Sequence, residues 1–292
     1  MQDVQQIVFE AIGTKWVIDI DSVLSSQERK KIGSNIKKRI GEFEQTFSRF
    51  IPESFIVKTG NTPGTYTLPP QAKKLFDMYE SVYKITNGAF TPLVGSTLSQ
   101  AGYDSHYTFT KSSYLKKPLS WEEALEYNFP TLVIRQPVTF DFGAAGKGYL
   151  IDIIADYLKQ SGFVSFTIDG GQDIVHFNKT NSPIRVGLEH PGNPEQVIGM
   201  VNIGNESICG SSGNRRKWGE FHHIINPHTL RSPKDIIATW VIAENGLLAD
   251  ALSTCLFFSS PKVFKKYSFD YVILYKDFSV DHSTSFKGEL FT

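Results

Sequence analysis

The stretch Asp141-Phe142-Gly143-Ala144-Ala145-Gly146-Lys147-Gly148-Tyr149 has the composition of a phosphate-binding turn. A β-rich run precedes it, Thr131 to Arg135 and then Val138 to Phe140. A helical pattern follows, with Leu150, Ile153, Ile154, Tyr157 and Leu158 on one face and Gly162 as a stop. The glycines are therefore expected at a strand-to-helix turn. Helix N-termini carry unpaired N–H groups and a positive dipole end. Small residues let an anion approach that backbone, and Lys147 adds charge. The P-loop pattern is not met, because its glycine and hydroxyl positions hold Asp141 and Gly148. A G-x-G-x-x-G fingerprint is absent as well. A phosphate cradle and a plain tight turn with a solvated lysine both fit this stretch.

Asp250 and Thr254 are four apart in an apolar helical run, Ala249, Leu252, Cys255 and Leu256, and so share a face. A carboxylate on such a helix is costly to bury unless it is paired or meets a cation. With a neighbouring hydroxyl it suits Mg²⁺, which prefers oxygen ligands. The plain alternative is a capping Asp and a core Thr. Ser207 to Trp218 reads as a Ser/Gly loop ahead of Arg215, Arg216 and Lys217, and His222, His223 and His228 follow within seven residues. Zinc fits poorly, since adjacent histidines on a strand point opposite ways and no Cys or carboxylate stands at ligand spacing. A histidine acting in proton transfer or against phosphate fits better. Asp169-Gly170-Gly171-Gln172-Asp173 is a tight turn, either a hairpin alone or a glycine wall against a ring. His106, His176, His190 and His282 read as surface or structural residues.

The elements that must position these groups are legible. Phe9 to Ile20 is a strand pair around Gly13-Thr14. Ser25-Ser-Gln-Glu28 is a capping box, followed by Ile32, Ile36, Ile40, Phe43 and Phe47 at helical spacing. Ser48 to Ser54 is a loop. Pro69-Pro70 opens a helix with Leu75, Tyr79, Val82 and Tyr83 inward, stopped at Asn87-Gly88. A polar, aromatic-rich region runs to Ser120, where Ser120-Trp-Glu-Glu123 caps a short helix. Strands are expected from Phe163 to Phe177 around Gly170-Gly171, and at Ile184–Leu188, Val197–Ile203, Ala238–Ala243 and Asp270–Tyr275. A helix is expected from Leu247 to Ser260, and a tail over 280–292 that frays or pairs at an edge. Helices and strands mix without strict βαβ alternation. That points to an α+β fold with mixed, largely antiparallel sheets, in a single domain over 1–292.

The chain has 292 residues, 22 of them Phe and 12 Tyr, enough for a large core. Thirty basic residues balance thirty acidic ones, so no net field favours nucleic acid or an anionic membrane. No apolar run is long enough for a transmembrane segment. Met1 to Gln6 carries neither a basic region nor an apolar signal core, so a cytoplasmic location is expected, or export as a lipoprotein if a leader has been trimmed. The two cysteines, Cys209 and Cys255, read as small core residues.

In this order the pieces resemble the FAD:protein FMN transferase family, the ApbE family, from about Phe9 to Ser260. The family's Ala-Met-Gly-Thr strand is matched by Ala11 to Thr14, and its Ser-x-Phe/Tyr-x-Pro-Asp/Glu-Ser loop by Ser48 to Ser54. Gly-x-Phe-Asp-Pro is matched by Gly88 to Pro92, and Asp-Leu-Gly-Gly-Ile-Ala-Lys-Gly-Tyr by Asp141 to Tyr149. Gly170 to Ile174, Ser211 to Arg216, His223 to Leu230 and Ala249 to Thr254 match the remaining motifs.

The resemblance implies an α+β ApbE-like fold and an enzyme that binds FAD and cleaves its pyrophosphate. FMN is moved onto a Thr or Ser of an acceptor flavoprotein carrying a flavinylation motif, and AMP is released. It implies Mg²⁺ held by Asp250, Thr254 and the Ala144 carbonyl. It implies FAD contacts at Ile12, Phe50, Ala89, Phe90, Thr91, Asp141, Lys147 and the strand to Ile225. His223 and Asp250 would be catalytic. An FAD pyrophosphatase and a flavin-binding protein without turnover are the alternatives. The sequence departs from the family pattern at Thr91 and Asn226, where Asp is usual, at Leu230, where Gly is usual, and at Gly146, where Ala is common. Val57 to Gly60 stands in place of Ser-Arg-x-Asn, with Asn61 one position late.

Overall fold

The computed structural model describes residues 4–291. The first three residues of the N-terminal stretch read for a signal, and the last residue of the tail, lie outside the described residues. Strands β1 (Val4–Ala11) and β2 (Thr14–Asp21) form the expected hairpin. Its link, Ile12-Gly13, has φ of 43° and 72°, the left-handed pair that matches strand twist in a two-residue hairpin. Helix α1 (Ser26–Phe47) opens with the capping box, and Ile32, Ile36, Ile40, Phe43 and Phe47 are buried. A short helix α2 (Phe55–Gly60) and strand β3 (Gly64–Thr67) follow. Helix α3 (Ala72–Ile85) stops at Asn87 and Gly88, both at positive φ. The polar, aromatic-rich region, to which no element was assigned from the sequence, contains a 3₁₀ turn at Pro92–Val94 and helix α4 (Gly95–Gln100). Helix α5 (Trp121–Ala124) has its own capping box.

Strands β4 (Leu125–Asn128) and β5 (Thr131–Ile134) pair with β3 in a three-stranded sheet. Residues 138–140 are not a strand. Helix α6 (Gly146–Gln160) is therefore reached through an irregular run rather than a tight strand-to-helix turn. The reason is local: Val138 N–H goes to Gly60 O and Asp141 N–H to Pro92 O, so this backbone is bonded to loops and helix ends, not to a ladder.

Beyond α6 come β6 (Ser165–Asp169), β7 (Ile174–Asn178), β8 (Ile184–His190), β9 (Asn193–Ile203) and β10 (Ser207–Ser212). Then follow β11 (Lys217–Trp218), β12 (Phe221–His222), β13 (Ile236–Ala243) and α7 (Gly246–Cys255). The chain closes with β14 (Phe269–Tyr275), β15 (Val280–His282) and β16 (Gly288–Leu290). The Ser207 segment, expected as a loop, is a strand of the main sheet. Its Ser and Gly residues are admitted there because β10 lies between β7 and β13 with α7 packed over it. Helix α7 ends at Cys255, earlier than the apolar run suggests, and Pro261 opens a separate 3₁₀ turn. The tail pairs at two sheet edges, β15 on β14 and β16 on β9.

The main sheet has the order β1-β2-β6-β7-β10-β13-β14-β15, and its strand pairs are antiparallel. The α+β expectation holds. Helices α1, α3, α6 and α7 cover one face through Ile36, Leu75, Leu150, Ile154, Ala251 and Leu252. The β8-β9-β16 sheet covers part of the other through Leu188, Val201 and Ile203. The ten residues of α7 are buried, Asp250, Ser253 and Thr254 among them, because the helix is enclosed by α6, β10 and β13. It crosses α6 at two glycines. A Cβ on Gly148 would lie 2.1 Å from Gly246 O, and one on Gly246 2.5 Å from Gly148 O. Backbone meets backbone there, which no other residue type permits. No helix among the described residues is long and apolar enough to cross a membrane.

Candidate active site

The loops at one end of this helix layer enclose a cleft of about 690 Å³, within the usual range for small-molecule sites. Every residue to which the family resemblance gives a metal, flavin or catalytic role lines it: Ile12, Phe50, Ala89, Phe90, Thr91, Asp141, Ala144, Lys147, His223, Ile225, Asp250 and Thr254. One end is polar and the other aromatic.

At the polar end, Lys147 Nζ lies 2.7 Å from Asp173 Oδ2 and donates to Gly171 O at 3.2 Å. Asp173 Oδ2 takes no directed hydrogen bond, so the Lys147 contact is an ion pair. Its Oδ1 accepts from Gly210 N–H at 3.2 Å. Asp250 Oδ2 accepts from Gly148 N–H at 2.8 Å, and Oδ1 has no hydrogen bond among the described residues. Burial, then the charge of Asp173, push the Asp250 carboxyl well above the usual carboxylate range, and Lys147 only partly offsets them. Burial alone would lower the Lys147 ammonium. Asp173 and Asp250 outweigh that and raise it above an ordinary lysine. Thr254 Oγ1 and Ser253 Oγ lie 3.3 Å and 2.8 Å from Ser211 Oγ, so β10 supplies a third hydroxyl beside Asp250.

The α6 start is not an open cradle. Gly146 N–H donates to Phe142 O, Gly148 N–H to Asp250, and Tyr149 N–H to Ala145 O. The carboxylate of α7 occupies the place where a free anion was expected. Cation charge in the cleft comes from side chains instead.

His222, His223 and His228 do not converge. His222 Nε2 donates to Pro233 O at 2.9 Å while its Nδ1 accepts from Ile224 N–H, which sets the neutral tautomer. His228 is tied to Asn87 O at 3.0 Å. Among the described residues no group of three His, Cys, Asp or Glu could hold a metal ion. His223 differs from the other two. Its Nδ1 is buried without a hydrogen-bond partner. Burial first, then the Arg216 charge, depress its imidazole to about 3.

At the aromatic end, Phe50 stacks on Tyr107 with centroids 5.7 Å apart and meets Tyr103 edge-on. Arg49 lies over Phe50 at 4.2 Å. Its Nε pairs with Asp141 Oδ2, and its two outer nitrogens donate to Ser99 Oγ and Tyr103 O. Asp141 Oδ1 accepts from Gly143 N–H at 2.8 Å. Both Asp141 oxygens are thus engaged, and the residue holds the glycine turn to the 48–54 loop. Arg216 donates to Tyr103 Oη at 2.6 Å and has no carboxylate partner among the described residues.

Two departures from the family pattern serve local structure. Thr91 Oγ1 accepts from Leu93 N–H and caps the 3₁₀ turn. Asn226 Oδ1 accepts from His228 N–H and Thr229 N–H, an acceptor role an amide oxygen fills as well as a carboxylate. Leu230 stands at φ 58°, the left-handed region that explains a glycine preference.

Arg49, Tyr103, Tyr107, Asp173 and Arg216 line the cleft and were given no site role from the sequence. Arg49 and Arg216 sat inside recognised loops, and a cation among loop residues is a detectable signal. Tyr103 and Tyr107 had none beyond the aromatic richness of their segment.

The model of the ApbE family matches residues 12–268. An FAD:protein FMN transferase of Rhodobacter capsulatus is 23% identical over 205 residues, 66% of this chain and 39% of that protein. One of Vibrio cholerae is 26% identical over 124 residues, 40% of this chain and 37% of that protein. The chain thus aligns with under two-fifths of either relative's length. One of Chlamydia pneumoniae is 23% identical over 269 residues, 84% of this chain and 82% of that protein. Among solved structures, the ApbE protein of Thermotoga maritima superposes with a TM-score of 0.81 at 20% identity, covering 97% of this chain and 98% of the other. The flavin transferase ApbE of Vibrio cholerae gives 0.78 at 19% identity, covering 96% and 97%. At such identities the likeness shows the fold.

Proposed function

The chain belongs to the ApbE family, and from that premise we propose that it is a flavin transferase. It takes FAD as substrate and moves FMN onto a Thr or Ser hydroxyl of an acceptor flavoprotein. The acceptor oxygen bonds to the FMN-side phosphorus, the bond from that phosphorus to the bridging oxygen breaks, and AMP leaves with that oxygen. The observation that carries the reading is the meeting, in one cleft, of buried Asp250, the Thr254 hydroxyl, Lys147 and neutral His223.

Each side chain has a task that its surroundings support. Lys147 and Arg216 neutralise pyrophosphate charge from a water-poor site, where such contacts are strong. Arg216 has no acid to release first. His223 stays neutral and lines the cleft, so its imidazole is in the state that accepts the hydroxyl proton. An entering pyrophosphate would raise the basicity of that imidazole by the same charge logic that now depresses it. The Phe50–Tyr107 stack and the Gly170-Gly171 turn suit flat rings. Gly171 is obligatory there, because a Cβ would lie 2.0 Å from Thr14 Oγ1.

The residues fit a hard divalent cation. Asp250 is a buried carboxyl raised by burial, with Oδ1 unbonded and a hydroxyl cluster beside it. Such a group gains most from a cation. Asp250, Thr254 and the Ala144 carbonyl would hold Mg²⁺, which when bound would neutralise phosphate charge and align the attacking hydroxyl.

The test uses purified protein, FAD and MgCl₂, with and without an acceptor domain carrying an Asp-Gly-Ala/Ser-Thr/Ser-Gly-Ala-Thr segment. Acceptor mass and AMP are followed. An FMN mass gained only with Mg²⁺ supports the transferase. AMP released without labelling favours the pyrophosphatase, and bound FAD without AMP favours a flavin-binding protein.

A further inference from the structure

Asp152 does not line the cleft. It sits on α6, and its carboxylate accepts two backbone N–H groups of α7: Gly246 to Oδ1 at 2.7 Å and Leu247 to Oδ2 at 2.9 Å. Helix α7 already has an N-cap, since Asn245 Oδ1 accepts from Leu248 N–H at 2.9 Å. The second acceptor therefore comes from another helix. It is charged, and charge-assisted bonds to N–H groups at a helix start are among the stronger ones.

The bonding is reciprocal. Asp250 on α7 accepts from Gly148 N–H on α6 at 2.8 Å. Between the two carboxylates lies the Gly148–Gly246 contact, where the backbones already touch. The helices have no slack across that contact. A slide of α7 along α6 by about an ångström would carry these N···O distances past hydrogen-bond range.

We infer that Asp152 is a positioning residue. It locks α7 on α6 so that Gly148 keeps Asp250 Oδ2 and leaves Oδ1 and the Thr254 hydroxyl set for a divalent cation. The inference rests on the cation site proposed above.

The test compares Asp152→Asn with Asn245→Ala. The asparagine keeps the shape but can accept only one of the two N–H groups. Asn245→Ala loosens the same helix start from the other side, leaving the α6 bond in place. MgCl₂ is titrated into each protein with FAD, binding is read by flavin fluorescence, and the thermal midpoint is measured without metal. Asp152→Asn is expected to raise the half-saturating MgCl₂ tenfold or more. Asn245→Ala is expected to lower the midpoint and keep half-saturation within twofold of the parent. If Asp152→Asn also stays within twofold, or both variants shift it equally, the inference is overturned. If the parent protein itself shows no Mg²⁺ dependence, the cation reading falls, and the inference with it. Should Asp152→Asn yield no folded protein, Asp152→Glu takes its place with the same expected shift, because its carboxylate is displaced by a methylene.

Discussion

The N–H of Gly148 points at Asp250 Oδ2 across 2.8 Å, and this bond joins the Lys147 helix to the helix carrying Asp250 and Thr254. It partly compensates the burial of a carboxylate whose nearest charged neighbours include a second acid, Asp173. The site is thus under electrostatic tension that protonation or a cation relieves.

Asp250→Asn should abolish Mg²⁺-dependent turnover while the protein stays folded. The folded Asp250 carboxyl is raised above its unfolded value. Its favourable contribution is present below the unfolded pKa of about 4 and is lost as pH rises through the folded value. The stability gap between Asp250→Asn and the metal-free parent should therefore widen in the variant's favour as pH rises from 4 towards 8. Urea unfolding at several pH values measures it. A gap that is constant with pH would show that Asp250 is not a strained carboxyl.

Lys147→Met should weaken FAD binding by about 1.5–3 kcal/mol, the loss of a charge-assisted hydrogen bond. It should also strand Asp173, which is 1% exposed. Breaking one side of a buried pair costs about 3–5 kcal/mol. Adding Asp173→Asn should return most of the stability but none of the FAD affinity. A double mutant no more stable than Lys147→Met would mean the pair contributes little to the fold.

His223, depressed to about 3 by burial and then Arg216, should remain neutral across the working range. Its folded value lies below the unfolded one. Stability from this group is therefore full above about pH 6.5 and lost as pH falls towards 3. Proton NMR of the free protein should show no His223 titration between pH 5 and 8, whereas His223→Gln should lose turnover at every pH. A midpoint near 6.5 for this ring would falsify the buried-imidazole account.

Ile12 holds φ at 43° in the hairpin link, a conformation costly for a β-branched side chain. Ile12→Asn should raise stability by about 1 kcal/mol, because Asn-Gly favours this turn. It should also weaken FAD binding, since Ile12 is an apolar part of the cleft wall. Thermal midpoint and FAD titration decide this together. A lower midpoint would place the value of Ile12 in packing rather than in the site.

Local rules made much of this molecule legible from the chain. The capping box at Ser25, the apolar spacing of α1 and α6, the Asn87-Gly88 stop and the Gly170-Gly171 turn are short-range effects, and each stands where it was expected. Each of the ApbE motifs placed at least one residue in the same cleft. What the sequence could not decide depends on partners distant along the chain. Ser207–Ser212 became a strand because β7 and β13 flank it. The tail became two strands because two sheet edges were open to it. The glycine turn did not become an anion cradle because Asp250, 102 residues further on, takes the Gly148 N–H. Arg49 and Asp141 are 92 residues apart and meet only through the fold. Residue types and spacing therefore marked the groups to which the chemistry is assigned in the proposal. Tertiary contact alone decided which of their hydrogen bonds and charges remain free to do it.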